Sequence, residues 1–451
     1  MKNKIDILFF NRQFGSEPQI ALAADEKPPT RISHRVSSQQ AALAWGIIMK
    51  LTFITNYLTH HQLPFTEEMY RRLGSDFVFI ATNHMDEERV RMGWAIEDQN
   101  RYPYIRFYDD HMQSCEELVM DCDVLICGGT HELYIRRRLE AGKITLRYFE
   151  RLYKKGQWRA FMPRGYIKKW KEHTAQRKKP VYLLCAGGYV ASDFHLFWAY
   201  PGKMLKWGYF PSFITYDLWE LMEGKKGRCD ILWTGRMIGW KHAEDAVEAL
   251  KLLLEKKGTK IDIHLTMIGD GECASRIKGM IEREVIAGKR LSDVITLRPF
   301  MRPDEVRSIM EKSDIYLMTS DYEEGWGAVV NEAMNSGCAV IASSGAGSVP
   351  FLIRHGENGM VYRSGDVEEL AEYLEQLADD VAKRKKLGIA AYKTIADQWN
   401  AAAAAERMVK FCKLLVQGDY QPESEGPLSP AELIEPKKGY EYCHRNGKES
   451  G

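Results

Sequence analysis

The stretch from 314 to 342 reads Asp314-Ile315-Tyr316-Leu317-Met318-Thr319-Ser320-Asp321-Tyr322-Glu323-Glu324-Gly325-Trp326-Gly327-Ala328-Val329-Val330-Asn331-Glu332-Ala333-Met334-Asn335-Ser336-Gly337-Cys338-Ala339-Val340-Ile341-Ala342. Residues 314–319 read as a buried strand, a polar loop carries Glu324, a helix follows near 327–335, and residues 338–342 form a second strand. Strand, crossover helix and strand in that order are the unit of a parallel sheet covered on both faces. The same rhythm continues outward. Residues 230–234 are strand-like, and Ala243, Ala246, Val247, Leu250, Leu253 and Leu254 fall at helical spacing before Gly258 stops the helix. Ile261, Ile263, Leu265 and Met267 alternate as a strand, residues 294–297 form another, Pro303 opens a short helix, and 367–377 is helical.

A second strand series lies upstream at 50–55, 77–81, 123–127 and 180–186. Over 208–228 the text changes to aromatics, Pro and Gly224-Lys225-Lys226-Gly227-Arg228, which marks an interdomain connection. The fold class is therefore α/β, in two parallel-sheet domains at 49–215 and 216–395. Residues 396–415 are expected to form a helix returning to the first domain, and 416–451 a polar tail. Residues 1–48 lack sustained periodicity and are expected to be an extension, as from an upstream start codon, ahead of a fresh start at Met49.

The 451 residues favour two or three domains. Lys plus Arg number 63 against 62 Asp plus Glu, so the overall field gives no warrant for a nucleic-acid partner. Nine cysteines without a C-x-x-C pair suit reduced thiols better than a disulfide framework or a zinc ribbon. No apolar run approaches the roughly 18 residues that span a bilayer, and no signal-peptide core follows Met1-Lys2-Asn3-Lys4. A cytoplasmic location is expected.

Two carboxylates, Glu324 and Glu332, bracket the junction of strand and helix. Gly325 and Gly327 let backbone approach a ligand, and the first free N–H groups of the helix suit a phosphate oxygen. Glu332, about five residues into the helix, would stand roughly 7 Å deeper than its start. Two carboxylates at different depths can accept hydrogen bonds from two sets of sugar hydroxyls. Gly235-Arg236 follows the strand at 230–234, with Lys241 five residues beyond the arginine. A bidentate fork and a mobile ammonium at a strand tip can together neutralise a diphosphate. Gly269-Asp270-Gly271 places further flexible backbone at a neighbouring tip.

On the G-R…K element, the G-x-G turn, the E-x7-E element and the loop Ser344-Gly345-Ala346-Gly347-Ser348-Val349-Pro350, the sequence resembles the GT-B glycosyltransferases of the retaining family 4 group. The resemblance is close over 230–400 and looser over 49–210. It implies two Rossmann-like domains facing a cleft, a nucleoside diphosphate sugar (UDP or GDP sugar) held by the C-terminal domain, a saccharide or lipid-linked acceptor on the N-terminal side, and neither cofactor nor metal. Carried onto this chain, Arg236 and Lys241 would hold the diphosphate, Glu324 the transferred sugar and Glu332 the ribose, with Gly235, Gly269, Gly271, Gly325, Trp326 and Gly327 lining the donor site. The family's usual E-G-F-G reads Glu324-Gly325-Trp326-Gly327 here. His131, after Cys127-Gly128-Gly129-Thr130, would be the cleft histidine. The Gly-Gly loop usual after the family's first strand is replaced by residues 56–64, which leaves the phosphate contacts of the first domain open. The rival readings are a sugar phosphorylase, a nucleotide-sugar epimerase, and a partner subunit that keeps the fold without catalysis.

Residues 151–179 hold eleven Lys and Arg against the single acid Glu172, with Tyr153, Trp158, Phe161, Tyr166 and Trp170 between them. This composition predicts contact with an anionic membrane surface, peripheral on the inner face.

Overall fold

Val124–Cys127 and Val181–Ala186 are apolar runs buried at every position, and Leu51–Thr55 is likewise buried throughout, as expected of strands covered on both faces. The computed structural model describes residues 48–85, 101–225, 227–258, 261–286 and 288–447. Apart from Ile48, the expected N-terminal extension lies outside them.

The first domain holds β1 (Leu51–Thr55), β2 (Phe77–Ala81), β3 (Ile105–Phe107), β4 (Val124–Cys127), β5 (Thr145–Phe149), β6 (Val181–Ala186) and β7 (Met204–Trp207). They pair in parallel in the order β3-β2-β1-β4-β5-β6-β7. The helices used below are α1 (Leu63–Leu73), α2 (Met112–Asp121), α3 (Pro163–Glu172) and α4 (Val190–His195).

The second domain holds β8 (Cys229–Thr234), β9 (Ile263–Ile268), a short hairpin of β10 (Val285–Ile286) and β11 (Lys289–Arg290), β12 (Ile295–Arg298), β13 (Ile315–Met318), β14 (Ala339–Ser343) and β15 (Met360–Tyr362). Its parallel order is β12-β9-β8-β13-β14-β15. Around it stand α5 (Ala243–Lys257), α6 (Val329–Asn335), α7 (Val349–Leu352) and α8 (Val367–Asp379). The apolar face predicted for α5 is buried, and Gly258 caps it at φ 66°.

Both sheets reverse strand order once, between β1 and β4 and between β8 and β13. At such a switch point the neighbouring crossovers leave to opposite faces and open a crevice at the carboxyl ends of the strands. This topology positions the site.

The chain then returns. α9 (Ala401–Val416) packs on α1 of the first domain, where Arg72 Nη2 donates to the Ala402 carbonyl at 3.0 Å. The residues after 416 correct the expectation of a polar tail, because they are bonded to both domains. Leu428 donates to Lys206 O at 2.8 Å, Lys206 to Ser429 O at 2.8 Å and Ala431 to Met204 O at 3.0 Å, so an extended segment lies antiparallel beside β7. α10 (Gly439–Asn446) then packs on α7 and β15 of the second domain. Leu428, Ile434 and Cys443 are buried there. Three isolated apolar anchors carry no periodicity, which is why composition read the segment as solvated.

Candidate active site

Gly235 and Thr319 stand just beyond β8 and β13, on the two sides of the second switch point. Gly269 and Gly271 hold the first side in place. A Cβ on Gly269 would run into the Gly235 carbonyl, and one on Gly271 would come within 2.5 Å of the Met237 carbonyl oxygen. Their absence lets Met237 N–H reach Asp270 O and Cys273 N–H reach Met237 O, each at 2.8 Å. These two glycines therefore serve close packing of two strand tips.

The turn Gly239–Lys241 is pinned to the tip of β13. Thr319 Oγ1 donates to Lys241 O at 2.7 Å and receives the Trp233 indole N–H at 2.8 Å, while Asp321 N–H donates to Trp240 O at 3.0 Å. Lys241 Nζ, carried on this turn, is ion-paired with Glu324 Oε2, and Ser320 Oγ donates to the same oxygen at 3.2 Å. Glu324 is buried. Lys241 Nζ also stands 4.7 Å from the centre of the Trp240 ring, and Arg236 Cζ 5.9 Å from it, with Arg236 exposed. One indole thus gathers both cations of the predicted diphosphate pair. Beside them His242, at φ 47°, lies 3.4 Å from Asp321 and 3.8 Å from Asp245. Its hydrogen bond to Asp321 raises the imidazole above its usual range, and burial pushes Asp245 up to about 6.

Gly327 turns the chain from this loop into α6 at φ 87°, with no room for a Cβ against Met318 Cε at 2.6 Å. Gly325 has a different reason to be glycine: a Cβ there would run into the carboxylate of Glu150, at the end of β5 in the first domain. Glu150 accepts from Tyr209 OH and Lys154 Nζ, both at 2.9 Å. Arg151, buried at 3.5 Å from Asp193, donates to Tyr322 O at 3.2 Å. After β6, Gly188 N–H donates to Gly347 O at 2.8 Å, and Tyr189 OH to Ser344 O. The two domains meet along these loops, with Glu324 among them.

Residues 223–394 match the family model of glycosyl transferases group 1. The second domain is a group 1 glycosyltransferase domain. It is similar to D-inositol 3-phosphate glycosyltransferase from Pseudarthrobacter chlorophenolicus, 29% identical over 179 residues that make up 40% of this chain and 41% of that one. The amylovoran biosynthesis glycosyltransferase AmsK of Erwinia amylovora is 27% identical over 190 residues, 41% of this chain and 44% of the other. The match thus spans about two fifths of the length of these relatives. Among solved structures, HepE of Anabaena in complex with UDP superposes with a TM-score of 0.57 at 13% identity, over 80% of this chain and 99% of that one. Sucrose-phosphate synthase of Thermosynechococcus elongatus gives 0.55 at 14%, over 82% and 100%. The fold is GT-B.

Within this GT-B frame the remaining predicted residues fall in three places. α6 starts at Val329, so Glu332 sits on its first turn, about 4.5 Å along the axis rather than five residues deep. Glu332 is half-buried, and desolvation pushes its carboxyl up to about 7 against the opposing pull of Arg307. The ring of Trp326, expected to line the donor site, is packed in the core. Its indole is buried under Gly208 of the linker, donates to Asn331 Oδ1 at 2.9 Å and packs on Trp399 and Phe351 at 5.8 and 6.4 Å. His131 is exposed, and its Nδ1 accepts from Leu133 N–H at 3.2 Å. It lines a groove of about 380 Å³ with Tyr108, Glu116, Tyr134 and Arg137, and neither Lys241 nor Glu324 is part of that lining.

Glu150, Trp240 and Gly187-Gly188-Tyr189 were not singled out in the sequence, and Arg151, counted above among the cations of a membrane-facing window, is instead buried between Asp193 and the Tyr322 carbonyl. The glycine pair had a readable signal, since it follows directly on the apolar run of β6. Glu150 had none. Among the described residues no group of three or more His, Cys, Asp or Glu side chains is placed to hold a metal ion.

Proposed function

We propose that this protein is a retaining, metal-independent hexosyltransferase that moves a sugar from a UDP or GDP sugar to a hydroxyl of a saccharide or lipid-linked acceptor in cell-envelope polysaccharide or glycolipid synthesis. The observation that carries the reading is the Lys241–Glu324 ion pair at the switch point of the second sheet, with Arg236 over the same indole as the lysine. Arg236 and Lys241 neutralise the departing diphosphate, where negative charge grows as the sugar ring becomes oxocarbenium-like. Glu324, freed of part of its ion pair as Lys241 turns to phosphate, accepts hydrogen bonds from the transferred sugar. Glu332 accepts from the ribose. Neither HepE nor sucrose-phosphate synthase is similar enough to carry its substrate over, but the complex of HepE with UDP agrees with a nucleotide in such a fold.

The same reading sets the protein on the cytoplasmic side of a membrane, with residues 151–179 toward an anionic surface. Among the described residues no helix is long and apolar enough to cross a bilayer. The test is a thermal-shift panel of UDP, GDP and ADP sugars, followed by assay of nucleoside diphosphate release with and without chelator. Selective stabilisation by one donor and slow hydrolysis that survives chelation are expected. No donor binding at all would favour a non-catalytic partner subunit. Dependence on free phosphate, or epimer formed without acceptor, would favour the phosphorylase or epimerase.

A further inference from the structure

A helix on the surface of an α/β domain ordinarily buries a stripe against the core, but α3 has no fully buried residue. The turn that leads into it, Gln157–Phe161, exposes Trp158 by 63% and Phe161 by 72%, and α3 itself exposes Ile167 by 54% and Trp170 by 48%. Large apolar side chains so exposed and so close together mark a surface that meets something other than water.

The arrangement is ordered. Successive helical residues turn by about 100°, so Pro163, Ile167 and Trp170 share one stripe and Arg164, Lys168 and Lys171 the next. Tyr166 points to the body of the first domain, packed against its core, and Lys169 lies on that side, 3.7 Å from Glu172. Among the described residues Arg159, Arg164 and Lys171 make no ion pair, whereas Lys168 reaches only Glu172, at 3.7 Å. An apolar stripe flanked by cations with their charge uncompensated fits the boundary between headgroups and acyl chains. A polyanion such as RNA matches the cations but leaves the aliphatic Ile167 with nothing to enter.

The location adds to this. Only residues 151–157 separate the exposed Trp158 from Glu150, which lies against Gly325, and within that span Arg151 bonds Tyr322 O and Lys155 stands 3.9 Å from Glu323. The patch borders the cleft beside Glu324.

We propose that the face formed by Trp158, Phe161, Ile167 and Trp170 with Arg164, Lys168 and Lys171 docks on an anionic phospholipid bilayer and seats a lipid-linked acceptor at the mouth of the cleft. The acceptor half of this inference rests on the glycosyltransferase reading; the docking half does not.

The test is sedimentation of the full chain with vesicles of phosphatidylcholine alone and of phosphatidylcholine mixed with phosphatidylglycerol. Two variants go with it, Arg164→Glu/Lys168→Glu/Lys171→Glu and Ile167→Ser/Trp170→Ser. All five positions are on the surface, so unchanged thermal unfolding and unchanged donor hydrolysis in free solution are expected of both. The native chain should bind the mixed vesicles selectively. The triple variant should lose about a hundredfold in affinity, and the double variant should lose affinity at unaltered charge. Binding indifferent to lipid charge, or unmoved by the triple change, overturns the proposal. So does a double variant that binds like the native chain while RNA competes with the vesicles, which would make the patch a polyanion site. Donor hydrolysis without vesicle binding sinks this inference and leaves the catalytic reading intact. Vesicle binding with no donor hydrolysed does the reverse, leaving the docking surface and removing its acceptor.

Discussion

Glu324 and Lys241 sit more than eighty residues apart in the chain, and the sequence brought them into one argument only because each follows an apolar strand. Parallel strands adjacent at a switch point place their carboxyl ends side by side, and the ion pair is the result. Glu324→Gln and Arg236→Ala should each lower kcat by a factor equivalent to about 3 kcal/mol; thermal unfolding should be little changed in Arg236→Ala, where the side chain is exposed, and lowered in Glu324→Gln, which takes the charge from a buried ion pair. Near-normal turnover in both variants would remove the site assignment. Glu332 supplies a pH signature. Its carboxyl titrates near 7 in the folded protein against an ordinary value of 4.5, so the folded state keeps a proton that the unfolded chain gives up across that window. Stability therefore falls as pH rises from 4.5 to 7, and Glu332→Gln should be the more stable protein at alkaline pH by up to about 3 kcal/mol. If ribose hydroxyls donate to the ionised carboxylate, as the proposed function has it, donor affinity should rise with pH toward 7 and level off above it. Calorimetric titration with the nucleotide sugar at several pH values checks this, and a flat profile in the native chain would take Glu332 out of the donor site.

The elements of the second domain were legible in the sequence because each is a long buried run or a clean amphipathic helix, as Cys229–Thr234 and Ala243–Lys257 are. What was not legible depended on partners distant in sequence. Gly325 invites the reading of backbone near a ligand, yet the atoms that exclude a side chain there belong to Glu150, and nothing local to either residue announces the other. Gly269 and Gly271 likewise serve the contact between two turns. Trp326 was placed in the donor site by its motif, whereas the linker glycine at 208 makes room for its buried ring. Trp326→Phe, the residue usual in the family's motif, therefore tests the correction. It leaves a cavity against Trp399 and strands Asn331 Oδ1, and should cost about 1–3 kcal/mol of stability. Donor affinity should stay within a few-fold of native. A large change in donor affinity at unchanged stability would return the indole to the pocket.

At the scale of the molecule, the proposed transfer would require the two domains to set where an acceptor hydroxyl stands relative to the sugar it attacks, and small displacements there are costly. Direct contacts join the domains across the cleft at Gly188 N–H to Gly347 O, Tyr189 OH to Ser344 O, Arg151 to Tyr322 O, and Glu150 on Gly325. The segment after α9 adds a tie that composition concealed. It runs beside β7 of the first domain, passes Gly439 against the Tyr189 ring, and ends on the second domain. There Tyr440 OH donates to Glu369 Oε1 at 2.5 Å, Glu441 pairs with Arg363 at 3.1 Å and His444 Nε2 lies 2.8 Å from Val361 O. Leu428 and Cys443 of this strap belong to a core shared by both domains, but one further core in each domain contains no buried residue of it, so deleting residues 419–451 should leave both domains folded but less firmly coupled. Scanning calorimetry should then resolve two transitions where the full chain gives one, with KM for the acceptor raised more than kcat is lowered. Donor binding, which the proposed function assigns to the second domain, should persist. A truncated chain that still melts once at the native midpoint would mean that the cleft contacts alone couple the domains, and that the strap is passive.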